Sequence, residues 1–205
     1  MKKFFVVLVA ILAATLSSFA DSPLTSTDFY KAYAGESIVQ AATKCNGVVS
    51  KEVMAYLNSD KNPIAVKLAA INAVYMCADE FDARKNSDAF VKYLLKNGFQ
   101  DENGIIGLGS ASLLTSLAYM MAMDDYSNVQ PAADIIYCAL DKDPQSLSVN
   151  MVTVLIVVQS FMDDYNKWGK IYPLVNSVKE DKNLKQDLNK EAVDIIMDYI
   201  SLYNE

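Results

Sequence analysis

The chain has 205 residues, a formal net charge of −7 and no histidine, which removes the commonest general base, the Ser-His and Cys-His nucleophile pairs and most zinc sites. Arg84 is its one arginine, whereas phosphate and base recognition favours the planar guanidinium fork, so nucleic acid and anionic membrane surfaces are poor partners for it. A neutral or cationic partner fits the acidic balance.

Lys2 and Lys3 precede an apolar run from Phe4 to Leu16, followed by Ser18-Phe19-Ala20, the pattern of an export signal ending in a small-x-small cleavage site. The run is shorter than the roughly 18 to 20 residues that a membrane span requires. Residues 1–20 are therefore expected to be a cleaved signal peptide and 21–205 a single helical repeat domain, periplasmic or secreted, with no membrane span after cleavage. Loss of the two lysines takes the charge from −7 to −9. Cys45, Cys77 and Cys138 leave an odd thiol after any one pairing. They read as small buried hydrophobes, and a bridge, if present, would join Cys45 to Cys77 at the ends of neighbouring helices.

The segment from Thr27 to about Cys45 reads as a helix capped by Thr27 or Ser26 and interrupted at Gly35, with Asn46-Gly47 as a left-handed stop. Ser50 caps a short helix carrying Val53, Met54 and Leu57. In Asp60-Lys61-Asn62-Pro63, Asn62 is expected to cap and Pro63 to occupy the first position of a second helix, whose Ile64, Leu68, Ile71 and Tyr75 form one apolar stripe. Ser87 caps the next helix, with Phe90, Val91, Leu94 and Leu95, and Gly98 stops it. After Asp101-Glu102-Asn103-Gly104, a helix is predicted from Ser110 through Met121.

Asn128 and Pro131 open a third unit, with Ile135, Ile136 and Leu140 facing inward. It continues through Asp141-Lys142-Asp143-Pro144 into a long helix from about Ser146 to Asp163. The valine-rich stretch 152–158 has strand propensity, but its register and length favour a helix buried between units. Trp168, Ile171, Leu174 and Val175 form a fourth unit, followed by Asp181-Lys182-Asn183-Leu184 and a closing helix with Leu188, Ala192, Ile195, Ile196, Tyr199 and Tyr203.

The four Asp-led turns begin at 60, 101, 141 and 181, a period of about 40 that indicates repeated helical hairpins. The expected fold is all-α: a right-handed α-α solenoid of about four hairpins plus an N-terminal helix, with an irregular helical bundle as the alternative. In period and turn chemistry, from about Thr27 to Tyr203, the chain resembles the HEAT and armadillo class of α-solenoids. The proline and arginine of the HEAT consensus are missing. The resemblance implies stacked units that present an extended surface to a protein or peptide.

No Ser-x-x-Lys and no Gly-x-Ser-x-Gly occurs. Gly107-Leu108-Gly109 has half of a dinucleotide fingerprint but follows a helix rather than a strand. The more suggestive series is Asp79-Glu80-Phe81, Asp124-Asp125-Tyr126 and Asp163-Asp164-Tyr165, each at the end of a second helix. Carboxylates there oppose the helix dipole. Either they cap the turns that follow, or they form an acidic ladder for a lysine-rich segment or a calcium ion. No Asp-x-Asp-x-Asp-Gly loop supports calcium. Tyr56, Tyr93, Tyr137 and Tyr172 recur in first helices, as core residues with rim hydroxyls or as a contact face.

The resulting expectation is an exported, non-catalytic protein-interaction or scaffold module that uses no cofactor or metal. Two alternatives stay open: a small-ligand or glycan binder, and a carboxylate-based hydrolase. The candidate contact residues are Asp79, Glu80, Asp124, Asp125, Tyr126, Asp163, Asp164, Tyr165, Tyr56, Tyr93 and Tyr137.

Overall fold

A computed structural model describes residues 22–79 and 84–204; the expected signal peptide and Glu80 lie outside them. The described residues are all-helical, with ten α-helices and no strand. They are α1 (Ser37–Ala42), α2 (Lys51–Asn58), α3 (Ile64–Met76), α4 (Asn86–Lys96), α5 (Glu102–Leu108), α6 (Ala111–Asp124), α7 (Gln130–Lys142), α8 (Leu147–Gln159), α9 (Ile171–Glu180) and α10 (Lys190–Ile200). Short 3-10 turns cover Phe29–Tyr33, Tyr165–Lys170 and Ser201–Tyr203. None of these helices is long and apolar enough to cross a membrane.

Burial divides the helices into two classes. In α3 and α8, 11 of 13 residues are buried, and in α6 10 of 14. In α4 and α9 the figures are 3 of 11 and 2 of 10. The first class is apolar all round and the second carries one apolar stripe, which is how sequence sorts inner helices from outer ones. The inner helices pack side by side, α3 on α6 and α6 on α8, while α4 lies against α6, α7 against α6 and α8, and α9 against α8. Contacts between α3 and α6 advance together, Asn72 with Tyr119 and Tyr75 with Met120 and Asp124, so these two helices run in the same direction.

A row of inner helices buried on every side needs a cover, and the chain ends supply it. The Phe29–Tyr33 turn packs on both α3 and α10, and Phe29 stacks on Tyr119 at 6.1 Å. Buried Asn72 fixes this cover: its Oδ1 accepts from Tyr30 N at 3.0 Å, and its Nδ2 donates to Thr27 O and to Tyr119 Oη, each at 3.0 Å. At the other terminus Asn189 caps α10 and donates from its backbone to Tyr33 Oη at 2.9 Å and from its side chain to Ala32 O at 3.2 Å.

Several expected helix starts hold in the structure. Ser50, Ser110 and Ser146 accept from Val53 N, Leu113 N and Val149 N, Asp101 accepts from Gly104 N, and the valine-rich segment is helix α8. Asn46 and Gly47 both have positive φ, as a left-handed stop requires. Three expectations need correction. The N-terminal helix breaks about Gly35 as expected, but its first part is a 3-10 turn and its second is only six residues long. Asn62 does not cap α3 and Pro63 is not its first residue: extended Pro63 stands at the cap position, and the Asn62 amide donates to Tyr56 O, tying the turn back to α2. Ser87 does not cap α4, because Asp124 supplies that cap from another element, accepting from Asn86 N at 3.2 Å and Ser87 N at 2.7 Å.

A pocket at the ends of the inner helices

The acidic pairs sit where the inner helices end, and most of their carboxylates are occupied by folding. Asp79 and Asn46 exchange two hydrogen bonds, at 3.0 and 2.9 Å, joining the loop after α1 to the end of α3. Besides capping α4, Asp124 accepts from the buried Tyr75 hydroxyl at 2.7 Å, and burial with the nearby Asp124 charge pushes the Tyr75 pKa well up. Asp125 accepts from Ser127 Oγ and Asn128 N, and so organises the turn into α7. Asp164 accepts from both the side chain and the backbone of Asn166, and pairs with Lys167. The Asn166 amide is the main cause of its lowered pKa. Turn capping of this kind offsets the opposition between a carboxylate and a helix C-terminus.

Asp163 is the exception: it is exposed, and no group among the described residues holds it. It lines a cavity of about 340 Å³ between the ends of α6 and α8, together with Ser22, Tyr126, Ser127, Asn128, Val129, Gln130, Gln159, Ser160 and Met162. That volume lies at the lower end of the roughly 300 to 1,000 Å³ of small-molecule sites. Gln159 is 5% exposed; its Nε2 donates to Tyr126 O at 3.1 Å, and its Oε1 is buried without a partner. A buried carbonyl without a donor costs about 1 to 3 kcal/mol, which makes Gln159 the lining residue whose bonding is incomplete.

Beside the pocket runs an aromatic ridge. Trp168 packs against Tyr165 at 5.1 Å and edge-on against Tyr203 at 5.8 Å, and Tyr203 meets Tyr199 at 6.0 Å. Met162 joins ridge and pocket: it lines the cavity, its carbonyl accepts from Trp168 Nε1 at 3.3 Å, and its sulfur accepts from Tyr203 Oη at 3.9 Å.

Of the residues expected from sequence, the pocket brings together Tyr126 and Asp163, and Tyr165 belongs to the adjoining ridge. Tyr56, Tyr93 and Tyr172 are half-buried against the core, and Tyr137 is 48% exposed on α7; none of the four lines the pocket. The sequence pattern does not single out Gln159, Ser160 or Asn128 as contact residues. Gln159 had a readable signal, a lone amide ending a run of apolar residues. The three cysteines are free thiols, although the Asn46 to Asp79 bonds do set the segments bearing Cys45 and Cys77 side by side. Among the described residues no group of three or more carboxylates and thiols is placed to hold a metal ion. No protein-family model, curated protein or solved structure matches the chain.

Proposed function

We propose that this is an exported, non-catalytic binding module, built from about four helical hairpins in the manner of an α-solenoid, that takes its ligand or a partner's side chain in the pocket between α6 and α8. The observation that carries this reading is the cavity itself, lined by an uncommitted carboxylate, Asp163, and by Gln159, whose Oε1 is buried without a partner. Pockets with a few incompletely bonded polar groups are where ligand chemistry concentrates. The N-terminal cover argues in the same direction, because Phe29 and Asn72 fill the face of the inner helices that an open solenoid would offer to an extended peptide.

Ser160 is exposed at the pocket wall, its hydroxyl turned back to Val157 O. In Ser160→Phe the ring fills the cavity without disturbing the core. A panel of small amines, amino acids and sugars, screened by thermal shift, is expected to contain members that raise the Tm of the wild type and leave this variant unmoved. If the two proteins respond alike to every compound, the pocket is not the working site.

A further inference from the structure

The pocket shows a bias in its hydrogen bonding that specifies its ligand. Two of its hydroxyl protons are turned away from it: Ser127 Oγ donates to Asp125 at 2.7 Å and Ser160 Oγ to Val157 O at 2.7 Å. Its amides are also partly spent, with Gln159 Nε2 on Tyr126 O and Gln130 Nε2 on Asp134 at 2.9 Å. What these groups leave for a ligand is chiefly oxygen, the lone pairs of the two serines and the carboxylate of Asp163, which is the one formal charge in the lining, beside the exposed amide of Asn128. A hydroxylated ligand presents as many acceptors as donors and meets this surface poorly. An ammonium has three donors and no acceptor. An alkyl stem can lie on Val129 and Met162 in the same cavity, and the net charge of −7 favours the approach of a cation.

We propose that the pocket binds a primary ammonium group, carried either by a free alkylamine or by a lysine side chain of a partner, with Asp163 as counter-ion and the Ser127 and Ser160 oxygens as acceptors. This rests on the pocket being the working site. The aromatic ridge extends the same chemistry outward, because aromatic faces attract cations.

The chain contains one tryptophan, Trp168, whose indole is held by the lining residue Met162, so its fluorescence reports on the pocket. The full chain is titrated with n-butylamine, with the neutral isostere n-butanol, and with acetylated, amidated tripeptides Gly-Lys-Gly and Gly-Gln-Gly. Saturation-transfer NMR on the ligand protons serves as a second readout. Saturable n-butylamine binding is expected, at least tenfold tighter than n-butanol and weakened about tenfold in Asp163→Asn at unchanged Tm. A Gly-Lys-Gly affinity well above that of n-butylamine assigns the ammonium to a partner's lysine; the reverse order assigns it to a free amine. Equal binding of n-butanol, or an unchanged affinity in Asp163→Asn, overturns the ammonium inference while leaving the pocket as a site for another ligand. Silence of both readouts with every probe overturns the inference, and the Ser160→Phe screen then decides the fate of the pocket separately.

Discussion

Lys67 is the one charged side chain among the described residues that is fully buried, and its Nζ has no hydrogen-bond partner. Burial lowers its pKa from 10.5 to about 8, against a smaller opposing pull from Asp60. In the unfolded chain the amine holds its proton up to its ordinary pKa, so between pH 8 and 10.5 the unfolded state binds more protons than the native one. The cost is therefore complete below pH 8 and is relieved as pH rises. Chemical denaturation is expected to show stability climbing from pH 8 to about 10. Above that, the raised pKa values of Tyr75 and Tyr119 act with the opposite sign, since unfolding then lets those tyrosines ionise.

Lys67→Met should raise stability at pH 7 by about 1 to 3 kcal/mol, as replacement of buried charge by a matched apolar side chain commonly does, and should flatten the climb. An unchanged slope in that variant would assign the pH dependence elsewhere. Asp124 acts in the other direction: Asp124→Ala leaves the Tyr75 hydroxyl without its carboxylate and uncaps α4, a loss of about 2 to 4 kcal/mol by urea denaturation. Neither role was apparent from sequence. Lys67 and Asn72 are nonetheless the only strongly polar residues in the thirteen of α3, and polar groups in so apolar a helix are a readable sign of buried polar structure.

At the scale of elements, the sequence marks helices well where local chemistry suffices. Ser50, Asp101, Ser110 and Ser146 each cap the helix that follows them, because a cap is satisfied within three residues. It marks them poorly where a partner comes from far away. Asp124 caps α4 from 37 residues downstream in the chain, and no spacing rule finds such a pair. The cover at Phe29–Tyr33 was hidden for the same reason, since its 3-10 form is stabilised by Asn72, 42 residues away. Asn72→Ala removes all three of its bonds, and the cover should loosen before the core does. By amide hydrogen exchange, protection of residues 27–34 is expected to fall by about 2 to 3 kcal/mol while that of α6 and α8 falls less. Uniform loss across the chain would mean that the cover and the inner row open as one unit.

Across the whole molecule, the period of about 40 expected from the Asp-led turns does not appear as a uniform spacing of the inner helices. The inner helices begin at 64, 111 and 147, the wider first interval accommodating the extra helix α5. Each inner helix is followed by acid and a turn; Asp79, Asp124, Asp125 and Asp164 of these ends serve folding, while Asp163 remains uncommitted among the described residues. Repetition could not show that the Phe29–Tyr33 turn meets α10. Asn189 and Tyr33, 156 residues apart, close the array, and Tyr33→Phe should cost about 1 kcal/mol by urea denaturation. With the inner helices covered, the helix-end pocket among the described residues, with its aromatic ridge, is the proposed working site.

That claim is tested most directly by titrating the isotopically labelled protein with n-butylamine and following its amide and indole NMR signals. Shifts clustered at Asn128, Gln159, Ser160 and Asp163, together with the Trp168 indole, are the predicted result. Shifts confined to the surface around Tyr56, Tyr93 and Tyr137, with the pocket signals unmoved, would contradict it.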